Sequence, residues 1–259
     1  MLIAHLSDPH IRTGPLAGEP AANLHHALGR ILALQPQPDC VVITGDLCQQ
    51  GHTEAYPELR ALIENYPLPI HLTTGNHDDP KALLATFGGS RFLGGTTSTT
   101  YSVDYPAATI IALDSHRSGS PAGLLGDEQL AWLDATLARR PDVPAFVCLH
   151  HPPIPVGIPF LDGMRLNDGP ALAQVIARHP HVSRILAGHI HRVIFAPFAG
   201  TTVTIAPSTY RQSVLRMHDD QPPGYLAEPN GYLLHQLLDD NCITHSVPAS
   251  HAAAVLGHF

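Results

Sequence analysis

The turn Gly75-Asn76-His77-Asp78 carries residue types that bind metals and move protons. It follows the apolar, β-prone run Pro69-Ile70-His71-Leu72-Thr73-Thr74 and precedes Asp79-Pro80, a pair that starts helices. A rigid strand can aim such a turn at a site. Four other strand-plus-turn segments end in Asp, His or both: Ser7-Asp8-Pro9-His10, Gly45-Asp46, His150-His151 and Gly188-His189-Ile190-His191. In extended chain, the spacing of Asp8-x-His10 and His189-x-His191 puts both side chains of each pair on one face. Asp46, Asn76 and His150 each follow a buried-type apolar run within a residue or two. Open parallel sheets collect ligands outside the carboxyl ends of their strands. The expectation is that Asp8, His10, Asp46, Asn76, His150, His189 and His191 converge there.

These donors are too many for one tetrahedral ion and suit two ions that share a carboxylate. Imidazole plus carboxylate, with no thiolate, points to Mn, Fe, Zn or Co rather than a structural zinc or a calcium cage. Two such ions roughly 3.5–4 Å apart clamp a phosphoryl oxygen and hold a bridging hydroxide for in-line attack. Their charge outweighs two carboxylates and a hydroxide, so the pocket stays positive. An anionic substrate is thereby compatible with a formal net charge of −8 and no run of Lys and Arg.

The elements that must hold this constellation alternate along the chain. Strands are expected over residues 2–6, 40–44 and 69–74, with helices over 21–34, from Thr53 as cap to about 66, and over 80–87. That alternation argues a parallel α/β core. A hairpin over 100–103 and 109–113, a helix over 127–140 and a strand over 145–149 follow. A Pro-rich loop at 152–170 then leads into a helix to 179 and a strand over 183–187. The C-terminal part reads as an antiparallel pair at 193–198 and 201–206. A long polar loop at 208–231 and a hairpin around Asp240-Asn241 end the chain.

Composition narrows the classes. In 259 residues, 44% are hydrophobic and 14% charged, enough apolar content for a large core and too little charge for bulk disorder. No basic patch offers a nucleic-acid groove or an anionic-membrane surface. No apolar stretch is long enough to cross a bilayer, and residues 1–6 read as a strand rather than a signal peptide, so a cytoplasmic protein is expected. Cys40, Cys48, Cys148 and Cys242 lack Cys-x-x-Cys spacing, and Cys40 and Cys148 read as small buried hydrophobes. Of the 19 His, His151 reads as packed rather than ligating, and His25-His26 and His179-x-His181 as solvated faces.

The five motifs, in this order, resemble the metallophosphoesterase (calcineurin-like) superfamily: Asp8-x-His10, Gly45-Asp46, Gly75-Asn76-His77-Asp78, His150 and Gly188-His189-x-His191. Ser-Asp-x-His-x-Arg at the start, Gly-Asn-His-Asp-Asp and His-His-Pro-Pro resemble its class III cyclic-nucleotide phosphodiesterases and bacterial glycerophosphodiesterases. The resemblance implies a four-layer αββα sandwich with a dinuclear metal site at the C-terminal ends of the strands. It implies Asp8, His10, Asp46 and His191 around one ion and Asp46, Asn76, His150 and His189 around the other, with Asp46 bridging. His77 would face the phosphate and stabilise or protonate the leaving oxygen. The run after Gly45-Asp46 is Leu47-Cys48-Gln49-Gln50-Gly51, unlike the acidic, Arg-containing motif of phosphoprotein phosphatases.

The function expected is a metal-dependent hydrolase of small phosphodiesters, with catalytic His77 and Asp46. Asn76, His77, Arg12 and Tyr210 are expected substrate contacts, and Arg211 is a further candidate. A phosphomonoesterase is the runner-up, and a non-catalytic metal-bound scaffold a further alternative. The whole chain reads as one such domain, 1–259. Within it, residues 208–250 are expected to form a C-terminal cap that pairs copies as a homodimer or larger assembly.

Overall fold

The apolar runs become the parallel cores of two sheets. The computed structural model describes residues 1–239 and 241–249. In the first sheet, β1 (Leu2–Leu6), β2 (Cys40–Thr44) and β3 (Ile70–Thr73) run parallel. They alternate with α1 (Gly18–Leu32), α2 (Ala55–Ile63) and α3 (Pro80–Phe87). The second sheet takes β4 (Tyr101–Asp104), β5 (Thr109–Ala112), β6 (Ala145–Cys148), β7 (Val182–Ala187), β8 (Ile194–Phe198) and β9 (Thr201–Ile205). Its order is β4-β5-β6-β7-β9-β8, with β5, β6, β7 and β9 parallel and the two edges antiparallel. Its helices are α4 (Gly126–Ala138), α5 (Pro159–Asp162) and α6 (Gly169–Ile176).

The four-layer sandwich follows from the two-residue period of each strand. In β2, Val41 and Ile43 pack with Leu24, Ile31 and Leu59 of α1 and α2. Cys40 and Val42 point the other way and meet Ile110, Phe146, Cys148 and Leu186 of the second sheet. On the far side, Val147 and Ile185 pack with Leu133, Leu137 and Leu172 of α4 and α6. Strands covered on both faces have no polar face to show, which is why they read as unbroken apolar runs. All four cysteines are buried and unpaired.

Several boundaries differ from expectation, each for a local reason. α1 starts at Gly18 rather than 21, with Pro20 in its first turn, where a missing N–H leaves no bond unmade. Thr53 does not cap α2: Glu54 holds the cap position without a side-chain bond, and Pro57 sits harmlessly in the first turn. The 152–170 loop contains α5, and the 208–231 loop contains a short ribbon, β10 (Gln212–Ser213) with β11 (Tyr225–Leu226).

Residues 231–248 are not a free extension. β12 (Gly231–Leu238) pairs antiparallel with β1, and β13 (Asn241–Pro248) with β12, giving the first sheet the order β13-β12-β1-β2-β3. That leaves 208–230 to form a rim at the strand ends, and Asp240 and Ser250 lie outside the described residues. No helix among the described residues is long and apolar enough to cross a membrane. His25 and His26 are exposed. His179 is not a solvated ornament: its Nε2 lies 2.7 Å from Asp134 of α4, with 11% of the side chain exposed.

Candidate metal centre and active site

The parallel strands of both sheets deliver their turns to one place. β1 leads to Asp8 and His10, β2 to Asp46, β3 to Asn76 and His77, β6 to His150, and β7 to His189 and His191. The backbone there is strained. Among the described residues, seven other than glycine have positive φ, and five of these are expected ligands: Asp8 (53°), His10 (48°), Asp46 (47°), His189 (71°) and His191 (55°). Asp8 and His10 therefore converge through left-handed turns rather than through the extended spacing expected of them. Each such residue costs about 1–2 kcal/mol, so neighbouring turns must impose the geometry. Asp8 N–H donates to Gly45 carbonyl at 3.2 Å and His10 N–H to Asp46 carbonyl at 2.9 Å.

Two groups of donors face each other. Asp8, His10, Asp46 and His191 offer ligand atoms all within 4.8 Å of one another. His10 Nε2 is 3.1 Å from His191 Nε2, which is 3.3 Å from Asp8 Oδ1. In the second group, His150 Nε2 lies 3.1 Å from Asn76 Oδ1, 3.2 Å from His189 Nδ1 and 3.4 Å from Asp46 Oδ1. Asp46 reaches both groups with different oxygens, since its Oδ2 is 3.7 Å from His10 Nε2. The seven expected ligands are thus brought together, with Asp46 between the two sets.

This donor set fits divalent ions. The outer nitrogens of three rings are committed to oxygen acceptors: His150 Nδ1 to Thr44 carbonyl (2.8 Å), His191 Nδ1 to Arg211 carbonyl (2.7 Å) and His10 Nδ1 to Gln49 Oε1 (3.2 Å). In the neutral rings those acceptors place the proton outward and leave the Nε2 lone pair pointing inward, the arrangement that orients metal-binding imidazoles. His189 Nε2 is buried without a partner. Burial drives His10 and His189 down to about 3, so both are neutral donors. Burial works against the His150 imidazolium too, but Asp46 and Asp8 overcome it and take that ring to about 9. Burial alone would raise the Asp8 carboxyl; His191 and His150 instead hold it down to about 2. Buried carboxylates here draw positive charge to themselves.

His151 also lies against His150 and His189, yet both its nitrogens are used. Nδ1 is 2.8 Å from Ser115 Oγ and Nε2 is 3.2 Å from Pro121 carbonyl. It ties the 115–121 loop to the ligand-bearing turns, in keeping with its reading as a packed residue.

His77 stands at the edge of this group, with 27% of its side chain exposed and Nε2 3.9 Å from Asp46 Oδ2. Gln49, which the sequence gives no reason to single out, orients it. Gln49 Oε1 faces His10 Nδ1 and accepts from Arg12 Nη2 at 3.4 Å, which turns its amide nitrogen, at 3.3 Å, toward His77 Nδ1. With Nδ1 accepting, the neutral ring carries its proton on Nε2, on the side of Asp46.

The rest of the Gly75–Asp78 turn is fixed by close approach and hydrogen bonds. Gly75 has no positive φ; a Cβ there would meet Asp46 N and Oδ1 at 2.3 Å, so close approach of two turns requires the glycine. Asp78 does not cap α3; Asp79 does, accepting from Lys81 and Ala82 N–H. The Asp78 carboxylate accepts from Gly75, Leu47 and Cys48 N–H and from Tyr56 OH, at 2.8–3.1 Å. Another residue without a sequence signal, Asp114 after β5, accepts from the Thr74 and Thr99 hydroxyls and links the two sheets at the site. Arg12 and Tyr210 lie beside the metal donors, lining a separate cavity with Gln49, His10 and His191.

Known proteins resemble this chain over most of its length. A glycerophosphodiester phosphodiesterase, GpdQ, of Enterobacter lignolyticus is 30% identical over 259 residues, covering 98% of this chain and 93% of that protein. A probable cyclic nucleotide phosphodiesterase of Rhodococcus erythropolis is 33% identical over 262 residues, covering 98% and 85%. Among solved structures, a dimetal phosphatase from Danio rerio superposes with a TM-score of 0.71 at 16% identity, covering 96% of each chain. The family described as calcineurin-like phosphoesterase matches residues 1–193. These matches, together with the paired Asp/His donor groups at the strand ends, place the chain in the calcineurin-like phosphoesterase family.

Proposed function

We propose that the protein is a dinuclear metal-dependent hydrolase of small phosphodiesters, with cyclic nucleotides and glycerophosphodiesters as the candidate substrates. The observation that carries this is the pair of donor groups sharing Asp46, with the Nε2 of His77 beside them. Asp8, His10, Asp46 and His191 would hold one ion; Asp46, Asn76, His150 and His189 the other. When bound, the ions polarise a phosphoryl oxygen and lower the pKa of a water. Asn76 contributes a neutral oxygen, so it takes a place in the site without cancelling the charge that attracts phosphate. His77 donates its Nε2 proton toward the leaving oxygen, and Gln49 holds the ring in the tautomer that can do so.

A diester is favoured over a monoester because little guanidinium charge is free. Arg211 is committed to Glu19 at 2.8 Å, which leaves Arg12 as the arginine near the donors without a carboxylate partner among the described residues. The test is metal content and turnover together. Two equivalents and hydrolysis of bis(p-nitrophenyl) phosphate are expected, both lost in Asp46→Asn, and His77→Ala should keep the metal while kcat falls about 10²–10⁴-fold. Fully loaded protein inert on every diester and monoester would refute the reading. We further infer that two or more copies assemble through 208–250 in the cytoplasm. Light scattering that gives only monomer at micromolar concentration counts against the assembly, and recovery in the membrane or secreted fraction against the location.

A further inference from the structure

Two hollows flank the metal donors, and they differ in chemistry. On the His77 side, a cleft of about 760 Å³ is lined by polar groups, among them Thr53, Lys81, His116 and Ser118. On the other side, a cavity of about 210 Å³ shares His10 and His191 with the donor group. Its remaining walls are the rings of Tyr210 and Tyr225, the guanidinium groups of Arg12 and Arg211, and the side chains of Leu16 and Gln49. Arg12 Cζ lies 5.2 Å and Arg211 Cζ 4.7 Å from the centre of the Tyr210 ring, and Tyr225 lies 6.1 Å from the His191 ring.

We propose that this second cavity is a base-stacking subsite, which takes the planar heteroaromatic group of a mononucleotide diester while its phosphate lies at the metal donors. The proposal rests on the phosphodiesterase reading and selects a nucleotide from its candidate substrates. Bases stack on aromatic rings and on guanidinium planes, and this cavity offers both. Tyr225 and Leu16 are 66% and 61% exposed, so apolar surface stands uncovered beside the site. Arg12 Nε is buried without an acceptor; ring nitrogens and carbonyls of a base supply acceptors, and an alkyl alcohol supplies fewer. An ammonium headgroup fits poorly, because the positive charges of Arg12 and Arg211 already stand beside the Tyr210 ring. The net charge of −8 disfavours a polynucleotide as the source of the base.

The test pairs kinetics with binding. Metal-reconstituted wild type, Tyr210→Leu and Tyr225→Leu are compared on 3′,5′-cyclic AMP and on glycerophosphoethanolamine. The ratio of kcat/KM for the first substrate to that for the second is expected to fall about tenfold in each variant, chiefly through KM, the size of one lost base–aromatic stack. Separately, saturation-transfer NMR of metal-free protein with adenosine should show contact to the purine protons in wild type and none in Tyr210→Leu. Equal losses on both substrates, no loss on either, or adenosine contact that survives both substitutions would overturn the subsite. Protein that hydrolyses no diester yet holds adenosine through Tyr210 supports the subsite and sinks the phosphodiesterase reading instead. The exposed ring of Tyr225 keeps the comparison open should Tyr210→Leu fail to fold.

Discussion

Gln49 sits between the expected metal ligands and His77, facing His10 with its oxygen and His77 with its nitrogen. Gln49→Glu keeps the acceptor for His10 and removes the donor for His77. At full metal occupancy, kcat on a diester is therefore expected to fall about tenfold, with metal affinity near wild type; an unchanged kcat would break the link to His77. The ligands themselves were legible because each motif is local: strand, turn, Asp or His. Gln49 was not, since its partners come from turns after β1 and β3 and only the folded chain brings them within reach. Asp114 escaped notice for the same reason, its partners Thr74 and Thr99 being remote in sequence; His151 read as packed, but without a sign of the 115–121 loop it holds.

Among the elements, the turn after β2 and the turn after β3 behave as one unit pinned by Asp78. Burial and the charge of Asp46 push the Asp78 carboxyl up, to about 7, against the pull of three backbone N–H groups. Asp78→Ala leaves these donors and the Tyr56 hydroxyl without an acceptor, and should lower unfolding free energy by about 3 kcal/mol. Tyr56→Phe removes two bonds, the one donated to Asp78 Oδ1 and the one accepted from Asp79 N–H, and should cost about 1–2 kcal/mol. Denaturant midpoints measure both, and equal shifts would mean that the carboxylate is not the pin. Strand identity was readable from mostly apolar runs, because strands covered on both faces show little that is polar. Partnership was not. The 193–206 pair is an antiparallel hairpin as expected, yet hairpin pattern alone does not say that β9 also pairs with β7 while β8 takes the edge.

Across the whole molecule, the layer between the sheets is partly polar. His5 bonds to His235 and Thr44, and His71 lies 2.7 Å from the Tyr105 hydroxyl. Burial takes His5 down to about 3 and His71 to about 4, so both are neutral when folded. The unfolded chain protonates these rings near their ordinary value of about 6.5. Stability is then fully present above that value and falls as pH drops toward the folded pKa, by up to about 1.4 kcal/mol per pH unit for each ring. His71→Gln is expected to flatten the decline of Tm between pH 6 and 4.5; a slope identical to wild type would exclude His71 from the effect. Of this layer, the sequence displayed only histidines inside apolar runs, with no sign that they face one another across β1 and β12.

The left-handed backbone at Asp8, His10, Asp46, His189 and His191 bears on the order of assembly. A conformation held by neighbouring turns needs no ion to create it, so the metal-free chain is expected to hold its mould already. Chelator-treated protein should keep its far-UV circular dichroism and one cooperative transition. Its unfolding free energy should fall only by the mass-action term, about 2.7 kcal/mol for each ion present at a hundredfold over Kd; loss of cooperative unfolding would show that metal and fold form together. A finished mould accepts whichever ion of suitable size and charge reaches it first. Cellular supply, more than folding, would then decide what the protein carries.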